Sequence, residues 1–336
     1  MDITGLNKKE LTELIQNPPV DLGVEAVRVK TEHYGNRVFA RGLIEFTNYC
    51  KNNCLYCGIR LGNKNAVRYR LSKEEIIKCC EKGNELGFST FVLQGGEDTK
   101  YTADDICDIV FSIKNLYPDK AITLSIGEKS REEYKMYKSA GADRYLLRHE
   151  TADDVHYNRL HPKNMKLSDR KKCRYTLKEL GYQTGAGFMV GSPYQTSAEL
   201  AEDLLFLKEL QPEMVGIGPF IPHCDTPFGE FSGGGIENTL TMLSLTRLML
   251  PKALLPATTA LATLDSENGR KRGFMAGANI VMPNLTPKIQ RENYSLYNNK
   301  ASSGNEDAAE IEHLREEISS IGGVLDMSRG DHCSFN

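Results

Sequence analysis

The stretch Val38-Phe39-Ala40-Arg41-Gly42-Leu43-Ile44-Glu45-Phe46-Thr47-Asn48-Tyr49-Cys50-Lys51-Asn52-Asn53-Cys54-Leu55-Tyr56-Cys57 runs from an apolar, β-prone segment into a cysteine loop. Residues 38–46 read as a strand, so Cys50, Cys54 and Cys57, spaced C-x3-C-x2-C, lie in the loop that leaves it. Three thiolates hold three corners of an iron–sulfur cube, which normally takes four. The fourth iron is then left without a protein ligand. An open coordination position is what a catalytic metal needs and a structural metal avoids. The competing reading is a zinc loop, which normally takes a second ligand pair more than about ten residues away. No Cys or His occurs between Cys57 and Cys79, and no second C-x2-C is present.

The chain has 336 residues, which suits an α/β barrel of about 250 residues with additions. Its net charge of -3 and the lack of a basic run speak against nucleic acid as a partner. Met1-Asp2-Ile3-Thr4 carries no apolar signal core. No stretch approaches the ~18 apolar residues of a membrane span, so a cytoplasmic location is expected. Nine cysteines without a regular framework argue against secretion. Cys79, Cys80, Cys107 and Cys173 fall in helix-like stretches and read as small buried apolar residues. Cys333 reads as an exposed thiol on a frayed tail.

Residues 1–36 read as a helical extension: two short helices over 7–35, split by Pro18-Pro19, the first capped by Asn7 with Glu10 three positions on. This segment is expected to plug or flank the bottom of the barrel. A β-α rhythm then sets in. Strands are expected at 38–46, 89–94, 121–125, 144–147, 184–190, 214–218, 254–259 and 279–282. Helices are expected at 72–87, 102–116, 130–140, 168–180, 197–209, 238–250 and 268–276. Short apolar strands alternating with helices indicate a parallel sheet, and eight units indicate a closed (β/α)8 barrel over 37–336. The alternative is a six-unit partial barrel with extra elements. The polar stretch 298–307 reads as a mobile loop. A last amphipathic helix is expected over 306–322, with Ile311, Leu314 and Ile318 on one face.

The cysteine spacing, with Tyr56 inside it and Gly58 after it, resembles the signature of the radical S-adenosylmethionine (SAM) enzymes. That resemblance implies one [4Fe–4S] cluster whose open iron binds SAM, and reductive SAM cleavage to a 5′-deoxyadenosyl radical. In a parallel barrel the chemistry lies at the C-terminal strand ends. The second strand ends in Gln94-Gly95-Gly96-Glu97-Asp98, which resembles the "GGE" motif that contacts the SAM amino group. The third ends at Ser125, with Glu128 following. The fourth ends in Arg148-His149-Glu150, and Arg170 opens the next helix. A guanidinium at a strand mouth pairs bidentately with a carboxylate, which suits the methionyl group of SAM. The competing reading of Arg148 and Glu150 is a purely structural ion pair, and of Ser125 a helix cap. His149 reads as an orienter rather than a base. Met189, on the fifth strand, reads as an adenine contact or as core. Pro219 and Pro222 stiffen a loop after the sixth strand. Thr258 and Thr259 end the seventh and Asn284 follows the eighth, uncharged groups that suit a small polar substrate. Tyr294 and Tyr297 are placed to close the cavity.

Residues 44–50, 92–98, 144–151, 216–223, 256–260 and 282–284 look like the HydE family, the radical SAM maturases of [FeFe]-hydrogenase. That family is similar to biotin synthase and methylornithine synthase. The resemblance covers about residues 10 to 300. It implies that Arg148, Glu150 and Arg170 contact SAM, and that Arg144, Thr258, Thr259, Tyr294 and Tyr297 line the substrate cavity. Arg144 nonetheless opens its strand, away from the mouth by this count. The implied substrate is a small iron-bearing cysteine complex made by another maturase, with a ferredoxin- or flavodoxin-type electron donor. Gly95 and Cys224 depart from the residues expected there, Ser and Pro. Some family members hold a second cluster on three cysteines after the last strand. Residues 297–310 contain none, so a single cluster is expected. The alternatives are a paralogue acting on another amino-acid-like substrate and a non-catalytic iron–sulfur or metal carrier.

Overall fold

The computed structural model describes residues 1–300 and 307–335. Six parallel strands, Gly42–Thr47, Thr90–Gly95, Ala121–Ser125, Arg144–Leu146, Gln183–Ala186 and Met214–Val215, pair in sequence order. Parallel bridges then carry the sheet from Met214 to Leu254 and from Pro256 to Ile280. Ile280–Val281 pairs with Phe39 and Ala40, and Asn284 with Leu43. Leu43 N–H donates to Pro283 O at 2.8 Å and Leu285 N–H to Leu43 O at 2.7 Å, so the sheet closes on itself. Among the described residues this is an eight-stranded parallel barrel. Arg37–Ala40 and Gly42–Thr47 are one strand interrupted at Arg41, since both keep the same register on the eighth strand. Every residue from Gly42 to Thr47 is buried, as expected of a parallel strand covered on both faces.

The helices form where their ends are written in the sequence. Capping boxes start helices Lys8–Gln16 (Asn7, Glu10), Lys73–Glu85 (Ser72, Glu75), Ala103–Leu116 (Thr102, Asp105) and Arg131–Ala140 (Ser130, Glu133). Each satisfies two otherwise orphaned N–H groups. The last helix runs Ile311–Ser319 and buries Ile311, Leu314 and Ile318. Cys79 and Cys80 are buried, whereas Cys107 and Cys173 are half-buried. No helix among the described residues is long and apolar enough to cross a membrane.

Three expectations are corrected and one is narrowed. The seventh strand stops at Pro256: Thr258 stands at the N-terminus of a helix, Thr259–Leu264. A helix over Asp154–Leu160, absent from the sequence reading, follows the fourth strand. The N-terminal helices, expected to plug or flank the barrel, flank it: Lys8–Gln16 packs on Ser197–Leu210 and Leu22–Tyr34 on Ile236–Met249. The tail is not frayed. Val324–Asp326 adds a parallel strand beside Arg37–Phe39, and the residues after it cross the bottom of the barrel. There the carbonyl of Arg329 accepts from Thr90 Oγ1 (2.9 Å) and Arg144 Nη2 (2.6 Å), and Gly330 O accepts from Arg41. Asp331 Oδ1 accepts from Arg144 Nη2 and Gln183 Nε2, both at 2.6 Å. Of the polar stretch 298–307, residues 301–306 lie outside the described residues.

Candidate active site

The cysteine loop is pinned from several sides. Arg68 donates to the carbonyls of Asn48, Ile59, Arg60 and Asn63, gathering the loop around one guanidinium. Asn48 is fully buried and donates to Val67 O and Asn293 O, both at 2.8 Å. Arg70 grips Asp98 through two bonds of 2.6 and 2.9 Å, and Asp98 accepts from Thr47 Oγ1 at 2.7 Å. Lys51 N–H donates to Glu97 O at 2.9 Å. The first strand's loop and the Gln94–Asp98 turn are thus stitched together. Gly96 permits this approach, since a Cβ there would meet Tyr49 O at 2.2 Å and Cys50 Cβ at 2.7 Å.

The three cysteines fit a cluster better than a single ion. Among the described residues, the one trio of candidate ligand atoms lying within 4.8 Å of one another is His223, Cys224 and Asp225, so the Cys50, Cys54 and Cys57 sulfurs are set wider. Ligands on one zinc ion, each at about 2.3 Å, would sit closer. Burial pushes the Cys50 and Cys57 thiols up and the Cys54 thiol to about 12, so they ionise by giving their protons up to a metal.

These cysteines open onto a cavity of about 330 Å³ at the C-terminal ends of the strands. That volume suits a small ligand. Tyr56, Gln94, Gly95, Gly96, Glu97, Ser125, Arg148, Glu150, Arg170 and Met189 all line it, as do Thr258, Thr259, Tyr294 and Tyr297. Two expected residues do not. Arg144 is fully buried at the opposite end, bound to Asp331, because it begins its strand. Asn284 stands behind the wall, donating to Glu45 Oε2 at 2.9 Å. Glu45 and Lys300, which sequence reasoning did not single out, line the cavity and pair at 2.6 Å.

Charge is concentrated on one arc of the mouth. Arg170 stands 3.0 Å from Glu128 and 3.5 Å from Glu97, and its Nε donates to Arg148 O at 3.0 Å. Burial disfavours its charge, but Glu128, Tyr157 and Glu97 hold its pKa well above the usual value. Glu97 packs tightly on Gly127, whose φ of +78° and missing side chain make room for it. Arg148 lies 3.1 Å from Glu150, and its Nε is buried without a hydrogen bond among the described residues. Glu150 holds a φ of +68°, uncommon for a residue with a side chain and costing of order 1–3 kcal/mol. Such strain clusters at ligand-binding positions. Behind them His149 takes the N–H of Gly187 on Nδ1 (3.3 Å) and lies 3.2 Å from Asp203, both fully buried. Burial pushes its pKa well below the usual value, so it is neutral and props the strand end. Tyr56 O–H meets His161 Nε2 at 3.1 Å, and burial lowers His161 to about 3, which leaves that nitrogen an acceptor. Gly95 lines the cavity, while Cys224 is exposed.

Comparisons with known proteins give the chain's relatives. A sequence model of the radical SAM superfamily matches residues 44–207. The [FeFe] hydrogenase maturase subunit HydE of Thermotoga maritima is 48% identical over 297 residues, 88% of this chain and 84% of that one. The 3-methylornithine synthase of Methanosarcina acetivorans is 31% identical over 81% of this chain and 76% of its own. The crystal structure of methylornithine synthase (PylB) superposes with a TM-score of 0.82 at 26% identity, covering 96% of this chain and 94% of that one. The chain is a radical SAM enzyme and belongs to the HydE family.

Proposed function

We propose that this enzyme binds one [4Fe–4S] cluster on Cys50, Cys54 and Cys57, cleaves SAM reductively, and acts on a small substrate during assembly of the diiron subcluster of [FeFe]-hydrogenase. One observation carries the reading: the cysteine loop opens onto the same cavity as Glu97, Arg148, Glu150 and Arg170. Kinship with a named hydrogenase maturase supplies the biological setting. The bound cluster and SAM would supply one-electron reduction and a carbon-centred radical. This chain's own residues hold and orient. The carboxylate of Glu97 suits the SAM ammonium, and Arg148, whose Nε has no acceptor among the described residues, suits a carboxylate. The Pro219–Ile221 segment, with Phe220 buried, lines the cavity and adds apolar wall to it. A ferredoxin- or flavodoxin-type donor would supply the electron, and another maturase the substrate.

Anaerobic reconstitution with iron and sulfide, followed by SAM and dithionite, tests the chemistry. Release of 5′-deoxyadenosine supports it; an intact four-iron cluster without cleavage favours a carrier. Restoration of hydrogenase activity in a strain lacking its own HydE tests the setting. Arg148→Lys keeps the charge but loses the planar fork. SAM affinity should fall about tenfold or more, since a charge-assisted hydrogen bond is worth ~1.5–3 kcal/mol. Wild-type affinity in that variant, by equilibrium titration, would remove Arg148 from the SAM site.

A further inference from the structure

The segment that carries the cysteines is charged unlike the rest of the chain. Between Thr47 and Leu71 stand Lys51, Arg60, Lys64, Arg68 and Arg70 and no Asp or Glu, in a chain whose net charge is -3. Two of these cations are neutralised: Lys51 lies 3.3 Å from Glu97, and Arg70 grips Asp98. The other three are not. Among the described residues the Arg60 and Arg68 side chains donate to backbone carbonyls alone, and Lys64 is exposed and bonded to nothing. Asp225 reaches this stretch through the neutral Asn65, at 2.8 Å.

Residues 60–68 form a knob seated on the cysteine loop. Leu61 N–H donates to Asn52 O at 2.8 Å, Gly62 N–H to Asn53 Oδ1 at 2.9 Å and Arg60 Nη2 to Asn53 O at 3.3 Å. Asn52 and Asn53 lie between Cys50 and Cys54, so one layer of hydrogen bonds joins the knob to the cluster ligands. Arg68 draws the carbonyls of Arg60 and Asn63 to itself, which seats residues 60–63 beside 67 and 68. Leu61 and Val67 are 63% and 64% exposed, and neither they nor Lys64 line the cavity. Apolar side chains among uncancelled cations are what a protein interface with a polar rim presents. A cavity of about 330 Å³ admits small molecules and no protein, so a protein that delivers electrons must reach the cluster from outside it.

We propose that the face built by Arg60, Leu61, Lys64, Val67 and Arg68 docks an acidic one-electron carrier protein, which reduces the cluster through the cysteine loop. The inference rests on the reading above, that Cys50, Cys54 and Cys57 hold a reducible [4Fe–4S] cluster. At this step one electron passes: the carrier is oxidised by one unit, the cluster is reduced by one, and no bond forms or breaks. So short a segment matches the small interfaces of transient redox partners. Opposite charge speeds the encounter, and salt screens it.

The test uses reconstituted enzyme and an acidic ferredoxin as the probe. Association is read by surface plasmon resonance, and electron delivery by 5′-deoxyadenosine release with reduced ferredoxin limiting. Wild-type association should slow about tenfold or more as salt is raised from low to high. Leu61→Glu combined with Lys64→Glu should slow association and ferredoxin-driven release about tenfold or more at low salt. Release with excess dithionite, a reductant that needs no docking face, should stay at the wild-type level in that variant. Lys64→Arg keeps the charge and should bind as wild type does. Lys135→Glu, at an exposed lysine of the helix Arg131–Ala140, should also bind as wild type does. Association that ignores salt, or wild-type association in the double variant, overturns the proposal. So does an equal loss in Lys135→Glu, which would assign the effect to net charge, or a concentration-dependent dimer of the enzyme that the double variant abolishes. Dithionite-driven cleavage by the wild-type enzyme is scored apart from ferredoxin binding, so that a failure of the radical chemistry is distinguishable from a failure of docking.

Discussion

Cys57→Ala is expected to hold almost no iron after anaerobic reconstitution and to release no 5′-deoxyadenosine. Wild-type protein should hold about four irons and four sulfides per chain, as for one cube. Three thiolates are the minimum that leaves a single open iron, and removal of one leaves two corners without ligands. The loop cannot compensate. Gly58 N–H is held by Leu296 O at 2.8 Å, Leu55 N–H by Leu160 O at 2.9 Å, and Arg68 gathers the carbonyls of Ile59 and Arg60 just after. Cys173→Ala is the control, since that half-buried thiol lies on a helix outside the cavity and should leave iron content unchanged. A Cys57→Ala protein that keeps about four irons and cleaves SAM would overturn the assignment of the cluster. A wild-type value reproducibly well above four would reveal a second cluster.

Asp331→Ala should lower unfolding stability by about 3 kcal/mol, the low end of the cost of breaking a buried pair. Arg144 is fully buried, and Asp331 is its charged partner at 2.6 Å. The low end applies because the guanidinium keeps neutral acceptors on Arg329 O and Thr90 Oγ1. The deficit has a defined pH dependence. Burial raises the Asp331 carboxyl, but Arg329, Arg144 and Gln183 outweigh it and hold the pKa well below the usual range. A depressed carboxyl contributes fully above its unfolded pKa of about 3.9 and loses that contribution as pH falls through the folded value. The difference between variant and wild type should therefore be flat from about pH 8 to 5 and shrink below about 4. Denaturant titrations at several pH values measure it. A deficit that changes across neutral pH would assign the effect to some other group.

The parts that the sequence made legible are those written locally. The cysteine spacing, the Gly-Gly-Glu turn and the cap residues each sit within a few positions of the structure they specify. The order of strand ends places Gln94, Ser125, Arg148, Met189 and Thr259 at one mouth, and all five line the cavity. What stayed hidden depends on distant partners. Arg144 looked like a substrate ligand by resemblance, but its place at the start of a strand points it at Asp331, 187 residues away. Nothing local marks Glu45, because its partner Lys300 lies 255 residues later. The seventh strand reads too long because Thr258 and Thr259 are β-branched, whereas in the structure they open a helix.

The closed barrel has a further implication for how the chain is made. The strand that precedes the cysteines is synthesised early, yet its flanking partners come late: Asn284 reaches Glu45 across 239 positions and Gly330 reaches Arg41 across 289. At about 5–20 residues per second, translation leaves this apolar strand without those neighbours for roughly ten seconds to a minute. Throughout that interval the nascent chain presents an unpaired edge beside three reactive thiols, a condition that invites aggregation and oxidation. Cluster loading should therefore follow release from the ribosome, and the yield of soluble enzyme should depend on chaperone supply and on exclusion of oxygen during expression.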